Sequence, residues 1–292
     1  MQTMGDLLER NARYFAGREA FVQGDRRLTH GQFAGRARRL AGALHELGLR
    51  RQDRVAILAM NSIEYCEFFA AAEIAGYIAT MLNFRLTVPE LSWLIKDSAP
   101  RILIFEEQYA GAVEQLRDQF KEITHFICIG TAPAWALSYE ALIAEGPADG
   151  PPVRSKPEDY AYLWYTSGTT GLPKGAVISQ RAEIMRNLVI RAEFGIAPAD
   201  AFVAWSPLYH MGALDPALGT LMTGGKVIVV DGFDAGRLCE IVANEALGWL
   251  LLIPGMIGAF ADELERRAVV PKGIKLCGVM ADLVPPAELA RI

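Results

Sequence analysis

The chain has 292 residues, a hydrophobic content of 52% and a formal net charge of -5 at pH 7. Its length suffices for a sizeable buried core in more than one lobe. No basic run or basic domain is present, which argues against nucleic acid as a partner. The four cysteines lack CxxC spacing and stand in apolar contexts, so we expect buried free thiols and neither a zinc site nor a disulfide framework.

The N-terminus carries acidic residues within its first ten positions and lacks a signal-peptide core. The longest uncharged run lies between Glu245 and Asp262 and contains two glycines and a proline. It is shorter than the ~20 residues that span a bilayer. We therefore expect a soluble, cytoplasmic protein with no membrane span.

Apolar runs of strand length alternate with segments of helical period along the chain, which predicts an α/β fold with largely parallel sheets. The predicted strands begin with a hairpin at 20–23 and 27–29 and continue at 53–60, 77–82, 101–105, 125–129, 160–164, 176–178, 202–205, 226–230, 248–253 and 274–279. The predicted helices are 31–47, 62–74, 88–96, 109–120, 139–144 and 180–193, with further helices between the later strands.

The C-terminal residues predict one more helix, which begins at Pro285-Pro286 and reaches Ile292. A helix this short is marginal on its own in water. Neither a C-cap glycine nor a polar tail follows it. We therefore expect a truncated chain.

Residues 165–175 read Tyr-Thr-Ser-Gly-Thr-Thr-Gly-Leu-Pro-Lys-Gly and lie between two predicted strands. Glycines let the backbone turn tightly and present N–H groups to an anion. The hydroxyls add donors and the lysine adds a positive charge. This pattern predicts a loop that holds a nucleotide triphosphate, with a solvated Gly/Ser/Thr turn as the alternative. It is not a Walker loop, because Lys174 is followed by Gly175 and not by Ser or Thr.

The same segment resembles the phosphate-binding signature of the adenylate-forming enzymes, which include acyl-CoA synthetases, luciferases and peptide-synthetase adenylation domains. Further segments resemble this family in the same order, at 28–33, 53–64, 83–91, 206–210 and 253–256. The resemblance covers almost the whole chain and implies the N-terminal portion of such an enzyme, without its C-terminal lid domain.

The implied fold is a layered α/β/α arrangement with two mostly parallel sheets, in an incomplete N-terminal domain. The resemblance places a first substructure at about 50–185, ending in the phosphate loop. It places a second, incomplete substructure at about 1–48 together with 186–292.

The implied activity is that of an ATP-dependent carboxylic acid–CoA ligase, which forms an acyl-adenylate and then an acyl-CoA, with a fatty or other aliphatic acid as substrate. ATP, Mg²⁺ and coenzyme A are the implied cofactors and co-substrates. The other expected partner is the small-molecule acid, and a homodimer stays open. Two alternatives also stay open: a non-catalytic nucleotide-binding remnant or pseudoenzyme, and a peptide-synthetase adenylation domain. We expect the chain alone to lack full activity, because the family's catalytic C-terminal lysine and ribose-binding aspartate have no counterpart in it.

The resemblance assigns the nucleotide contacts to the glycine-rich loop, where Lys174 would neutralise the leaving pyrophosphate and act as a catalytic residue. The other predicted cofactor-binding residues are Thr166, Ser167, Gly168, Thr169, Thr170, Gly171 and Gly278, with Thr170 also the predicted metal-side hydroxyl. The segment from Gly278 to Asp282 departs from the family's usual Gly-Gly-Ala-Pro, which leaves the adenine contacts open.

The resemblance also assigns an acyl pocket, in which His210 gates the acyl tunnel as a second catalytic-site residue. A packed histidine at a strand end is the alternative. The predicted pocket consists of His210, Met211, Gly212, Ala213, Ile253, Pro254 and Met280. Asn187 and Arg191 are predicted on the solvent-facing side of the helix at 180–193.

Overall fold

The computed structural model describes residues 2–166, 173–279 and 283–292. The strands are β1 (Glu19–Gln23), β2 (Arg26–Thr29), β3 (Arg54–Leu58), β4 (Ile78–Met81), β5 (Ile102–Glu106), β6 (His125–Ile129), β7 (Leu137–Ser138), β8 (Tyr160–Thr166), β9 (Lys174–Ser179), β10 (Ala201–Ala204), β11 (Val227–Val229), β12 (Leu247–Leu252) and β13 (Ile274–Val279).

The helices are α1 (Met4–Tyr14), α2 (His30–Glu46), α3 (Ile63–Ala75), α4 (Val88–Ser98), α5 (Ala110–Arg117), α6 (Tyr139–Glu145), α7 (Gln180–Glu193), α8 (Met211–Met222), α9 (Ala235–Asn244), α10 (Ile257–Arg266) and α11 (Pro286–Leu289). A 3₁₀ turn, Glu107–Tyr109, precedes α5. None of the described helices combines the length and the apolar character needed to cross a bilayer.

The chain divides into two compact units. The first contains Met1–Gly17 and His30–Met185, and the second contains Arg18–Thr29 and Arg186–Ile292. The sequence prediction differs here, because it assigned residues 1–48 to the second unit. Only the β1–β2 hairpin of that segment belongs there, where β1 pairs in parallel with β11.

The helices α1 and α2 join the first unit because their apolar faces pack against α3. Position 5 illustrates how close α1 comes, since a Cβ on Gly5 would lie 2.9 Å from the backbone oxygen of Glu73. The hydroxyl of Tyr77 donates to the carbonyl of Ala41 in α2, at 3.0 Å. Every residue of α3 is buried, as expected for a helix packed on all sides.

The first unit is built on a sheet with the strand order β7-β6-β5-β3-β4-β8-β9, parallel except for β9. One face of this sheet packs on α4 and α5 through a core that includes Leu58, Phe105 and Leu94. Side chains alternate between the two faces of a strand. The intervening residues of β3 and β5 therefore point to the opposite face, and α3 contacts β3 and β4.

The second unit is built on a sheet with the strand order β13-β12-β10-β11-β1-β2, parallel except for β2. The helices α9 and α10 cover one face through Leu238, Phe260 and their neighbours, and α8 contacts β10, β11 and β12. The predicted α/β fold with two mostly parallel sheets is therefore confirmed. Of the four free thiols, Cys66, Cys128 and Cys239 are buried as predicted, and Cys277 is half-buried on β13.

Candidate active site

The antiparallel hairpin of β8 and β9 brackets the glycine-rich loop in the first unit. The last cross-strand pair joins Thr166 to Lys174, and the hydroxyl of Thr166 lies 3.5 Å from the carbonyl oxygen of Lys174. Both residues are exposed, so Lys174 follows the loop directly and its side chain is not packed in the core. The predicted contacts Ser167, Gly168, Thr169, Thr170 and Gly171 lie outside the described residues.

Tyr165 fixes the base of this hairpin to α4. Its hydroxyl donates to Asp97 at 2.6 Å, and its ring packs edge-on against Trp93. Burial raises the pKa of Tyr165, and the hydrogen bond to Asp97 raises it further, because ionisation would remove the donated proton. The phenol therefore stays neutral at physiological pH, and its hydrogen bond holds the end of β8 against α4.

His210 lies in the second unit, where it is the N-cap residue of α8. Its backbone carbonyl accepts from the N–H groups of Ala213 and Leu214, and its exposed ring lies 4.3 Å from the ring of Tyr209, centroid to centroid. The predicted catalytic residues Lys174 and His210 thus belong to different units. The gating role of His210 stays a prediction.

The described residues of the predicted acyl pocket lie in different environments of the second unit. Met211 and Gly212 line a cavity, whereas Ala213 is fully buried behind them. Ile253 packs with the core of α9 and α10, and Pro254 is half-buried just beyond β12. Met280 lies outside the described residues.

That cavity has a volume of about 290 Å³ and lies among α7, α8 and β12. Its apolar wall includes Ile190, Ile196, Met211 and Trp249. Pro216 interrupts the hydrogen-bond ladder of α8 beside it, because proline has no backbone N–H. The volume is equivalent to about ten water molecules and suits a small organic acid.

Asn187 and Arg191 also line this cavity, and their predicted exposure is wrong. Asn187 is 3% exposed and Arg191 is 9% exposed. Asn187 packs against the backbone of α8 at Gly219, where an added Cβ would overlap its Oδ1 atom. The close approach of α7 and α8 covers the polar face of α7. Arg186, Asn187, Ile190 and Arg191 do share one side of the helix at four-residue spacing. A mostly polar side of a helix ordinarily indicates a solvated face, so the sequence alone did not reveal this burial.

Gly278 lies on β13, two residues beyond the partner of Trp249. A Cβ at this position would be 2.8 Å from the indole Nε1 atom of Trp249. Glycine therefore lets the indole lie close to β13, where it forms part of the cavity wall. The contact of Gly278 with the cofactor stays a prediction.

A second cavity of about 340 Å³ lies beside β1, β11 and α9 in the same unit. Charged side chains line it, but they neutralise one another. Lys226 lies 2.5 Å from Glu245 and 3.5 Å from Glu19, and Arg237 lies 2.9 Å from Glu240. This cavity therefore offers less to a charged ligand than the one beside α8.

No group of three or more histidine, cysteine or acidic residues that could hold a metal ion occurs in the described part of the chain. The predicted metal-side hydroxyl, Thr170, lies outside that part. The described residues thus supply no donor set to which a magnesium ion can be fitted.

The chain belongs to the AMP-binding enzyme family, whose sequence profile matches residues 8–292. It is 30% identical to a long-chain-fatty-acid–CoA ligase of Thermus thermophilus over 294 aligned residues, which cover 98% of this chain and 54% of the relative. It is 32% identical to a feruloyl-CoA synthase of an Amycolatopsis species, over 97% of this chain and 56% of that protein.

Solved structures show the same architecture. The inhibitor-bound N-terminal domain of FACL13 from Mycobacterium tuberculosis superposes with a TM-score of 0.88 at 26% identity, covering all of this chain and 73% of that structure. The anthranilate–CoA ligase AuaEII in complex with anthranoyl-AMP shares the fold, with a TM-score of 0.90 over 99% of this chain and 57% of that one. The chain spans about half the length of the curated relatives it matches.

Proposed function

We propose that this chain forms the ATP- and acid-binding part of an ATP-dependent carboxylic acid–CoA ligase. The observation that carries the proposal is the β8–β9 hairpin. It holds Thr166 and Lys174 opposite each other at the two ends of a phosphate-binding signature, in a chain of the AMP-binding enzyme family. The named relatives activate different acids, among them long-chain fatty acids and ferulate, so the family alone does not select the acid.

The proposed chemistry joins a carboxylate to the α-phosphate of ATP and releases pyrophosphate, after which the thiol of coenzyme A displaces AMP. Such a transfer relies on positioning and on the stabilisation of charge that moves onto the leaving phosphates. Lys174 would place its ammonium beside these oxygens. Tyr165, held by Asp97, would keep the hairpin in register beneath the loop. A bound Mg²⁺ would neutralise phosphate charge, and phosphate oxygens with loop hydroxyls would be its natural ligands.

The acid would enter the second unit, where the cavity among α7, α8 and β12 offers an apolar wall of suitable volume. Aliphatic side chains make up much of this wall. An aliphatic acid therefore matches it through the burial of methylene groups, each worth about 0.8 kcal/mol. Met211 is 53% exposed and lies next to His210, so this end of the cavity is accessible from outside.

Binding of a sulfamoyl-adenosine that carries a medium-length aliphatic acyl chain tests this function, because it mimics the acyl-adenylate and requires no turnover. By calorimetry, the chain should bind it at least about tenfold more tightly than AMP, since it fills the nucleotide and acyl sites together. Equal binding of AMP and the analogue would favour a nucleotide-binding remnant instead. If neither the analogue nor ATP binds, the proposal is wrong.

A further inference from the structure

The cavity in the second unit follows the two helices that enclose it. Its lining residues recur on α7 at 186, 187, 190 and 191, and on α8 at 211, 212, 215, 216 and 220. At a rise of 1.5 Å per residue, the stretch from Gly212 to Thr220 is about 12 Å long. Arg186 pairs with Asp215, and Asn187 packs against Gly219, so the two helices meet along the middle of α8. Along α8 the cavity therefore extends from the exposed Met211 to Thr220. A Cβ on Gly225 would contact both the Thr220 side chain and the carbonyl oxygens of Pro198 and Asp200, so Thr220 lies beside the turn that holds Arg191.

The ionisable side chains of the lining carry a net positive charge. They are Arg186, Arg191 and Asp215. Two nitrogens of Arg186 lie 2.7 and 2.5 Å from the two carboxylate oxygens of Asp215, so this pair is neutral as a whole. One positive charge then remains, and it belongs to Arg191.

Arg191 is held in place without a carboxylate partner among the described residues. Its Nη2 donates to the carbonyl of Ala197 at 2.7 Å. Asp200 closes the same turn by accepting from the N–H of Ala197 at 2.7 Å, and its charge offsets part of the cost of burying the guanidinium. Burial still lowers the pKa of Arg191, because desolvation outweighs this attraction. The guanidinium has five N–H donors, so most of its capacity is not used by Ala197.

A second donor lies in the same wall. The indole Nε1 of Trp249 is buried and has no hydrogen-bond partner within the described ranges. An indole N–H and a guanidinium only donate hydrogen bonds. Ligand groups that complement these donors must therefore accept hydrogen bonds, and a carboxylate beside Arg191 does so while also neutralising the guanidinium.

We infer that the acid bound in this cavity carries a second carboxylate at its distal end, which pairs with Arg191. This inference rests on the proposed function, which assigns the acid to this cavity and leaves one of its carboxylates to react. The apolar wall of Ile190, Ile196 and Met211 contacts the methylene chain between the two carboxylates. Arg191 is then the residue that selects an α,ω-dicarboxylic acid over a simple fatty acid.

Calorimetric binding of matched acids to the 292-residue chain tests the inference. The probes are octanoate, octanedioate and the monomethyl ester of octanedioate, which keeps the length of the dicarboxylate but has a neutral distal end. A charge-assisted hydrogen bond supports an affinity gain of about tenfold or more. Octanedioate should therefore bind about tenfold more tightly than octanoate or the ester. The same comparison with shorter and longer acids identifies the chain length that fits the cavity best.

Variants of Arg191 test whether this residue causes the preference for octanedioate. Arg191→Gln should remove the preference, so that octanedioate binds no more tightly than octanoate. Arg191→Lys should retain part of it, because lysine keeps the charge but not the planar fork. Arg181→Gln is the matched control, since Arg181 is exposed at the start of the same helix. Melting curves establish that each variant is folded, and the comparison of the three probes on the unaltered chain needs no variant.

Three results would overturn the inference. One is equal binding of octanoate and octanedioate. Another is an equal loss of both in Arg191→Gln, which would mean that Arg191 binds the only carboxylate of a simple acid. The third is the absence of binding by any acid. If the sulfamoyl analogue binds while the acids show no preference, the ligase proposal stands and only the role of Arg191 is wrong.

Discussion

Replacement of Lys174 by alanine is expected to weaken ATP binding by about tenfold or more and to change AMP binding by less than about threefold. The reason is that Lys174 begins β9 at the end of the phosphate signature, where its ammonium can reach the β- and γ-phosphates that AMP lacks. The loss of one charge-assisted hydrogen bond to phosphate accounts for this magnitude. Equilibrium titration of both nucleotides with the purified chain provides the measurement.

Two matched variants sharpen this test. Lys96→Ala removes an exposed lysine from α4 in the same unit and should leave both affinities unchanged. Lys174→Arg should recover part of the ATP affinity, because it restores the positive charge. An equal loss of ATP and AMP binding in Lys174→Ala would show that the residue supports the fold or the nucleoside and not the phosphates.

The second large effect is expected from Glu73→Gln, which should reduce the fall in the free energy of unfolding as the pH rises. Glu73 on α3 and Glu183 on α7 are 1% and 0% exposed, and their side chains are hydrogen-bond partners. The pKa of Glu73 is raised from 4.5 to about 7, chiefly by burial, against a lowering by the bond to Glu183 and with a further rise from the charge of Asp159. The pair therefore holds a proton at pH values where an exposed glutamate has lost it.

The direction of the pH effect follows from this raised pKa. Between pH 4.5 and about 7 the folded protein binds more protons at Glu73 than the unfolded chain does, so the free energy of unfolding falls as the pH rises. A pKa change of this size is equivalent to roughly 3 kcal/mol. Glutamine resembles the protonated carboxyl and does not titrate, so Glu73→Gln should remove this part of the decline.

Urea unfolding at pH 5 and pH 8.5 measures this difference, followed by tryptophan fluorescence. Glu114→Gln on the exposed side of α5 serves as the control and should keep the pH dependence of the unaltered chain. If Glu73→Gln loses as much stability between the two pH values as the unaltered chain, the two carboxyls do not share a proton.

Much of the fold could be predicted because local signals agree with the tertiary structure. The hairpin of β1 and β2 follows from alternating residues around Gly24-Asp25, and α4 follows from its capping box, with Thr87 at the N-cap and Glu90 three residues later. The helix α1 was missed although Thr3 and Asp6 form the same kind of cap. The assignment of α1 to the first unit could not be predicted, because α1 and α3, which pack together, lie far apart along the chain.

The hairpin around the phosphate signature was predictable from residue types, whereas the polar face of α7 was not. That helix exposes Met185, Leu188 and Val189 and buries Asn187 and Arg191. Hydrophobic periodicity assumes the opposite arrangement, since it assigns apolar residues to the core. Only the packing of α8 against α7 shows that the arginine faces a cavity. The acyl pocket stays a prediction: Met211 and Gly212 line this cavity, whereas Ile253 packs with the core of α9 and α10.

A crystal structure of the chain with a non-hydrolysable ATP analogue would show where the phosphates bind. We expect the triphosphate in the loop between Thr166 and Lys174, with the ammonium of Lys174 within hydrogen-bonding distance of a β- or γ-phosphate oxygen. A nucleotide bound elsewhere, with the β8–β9 hairpin free of phosphate contacts, would contradict this expectation.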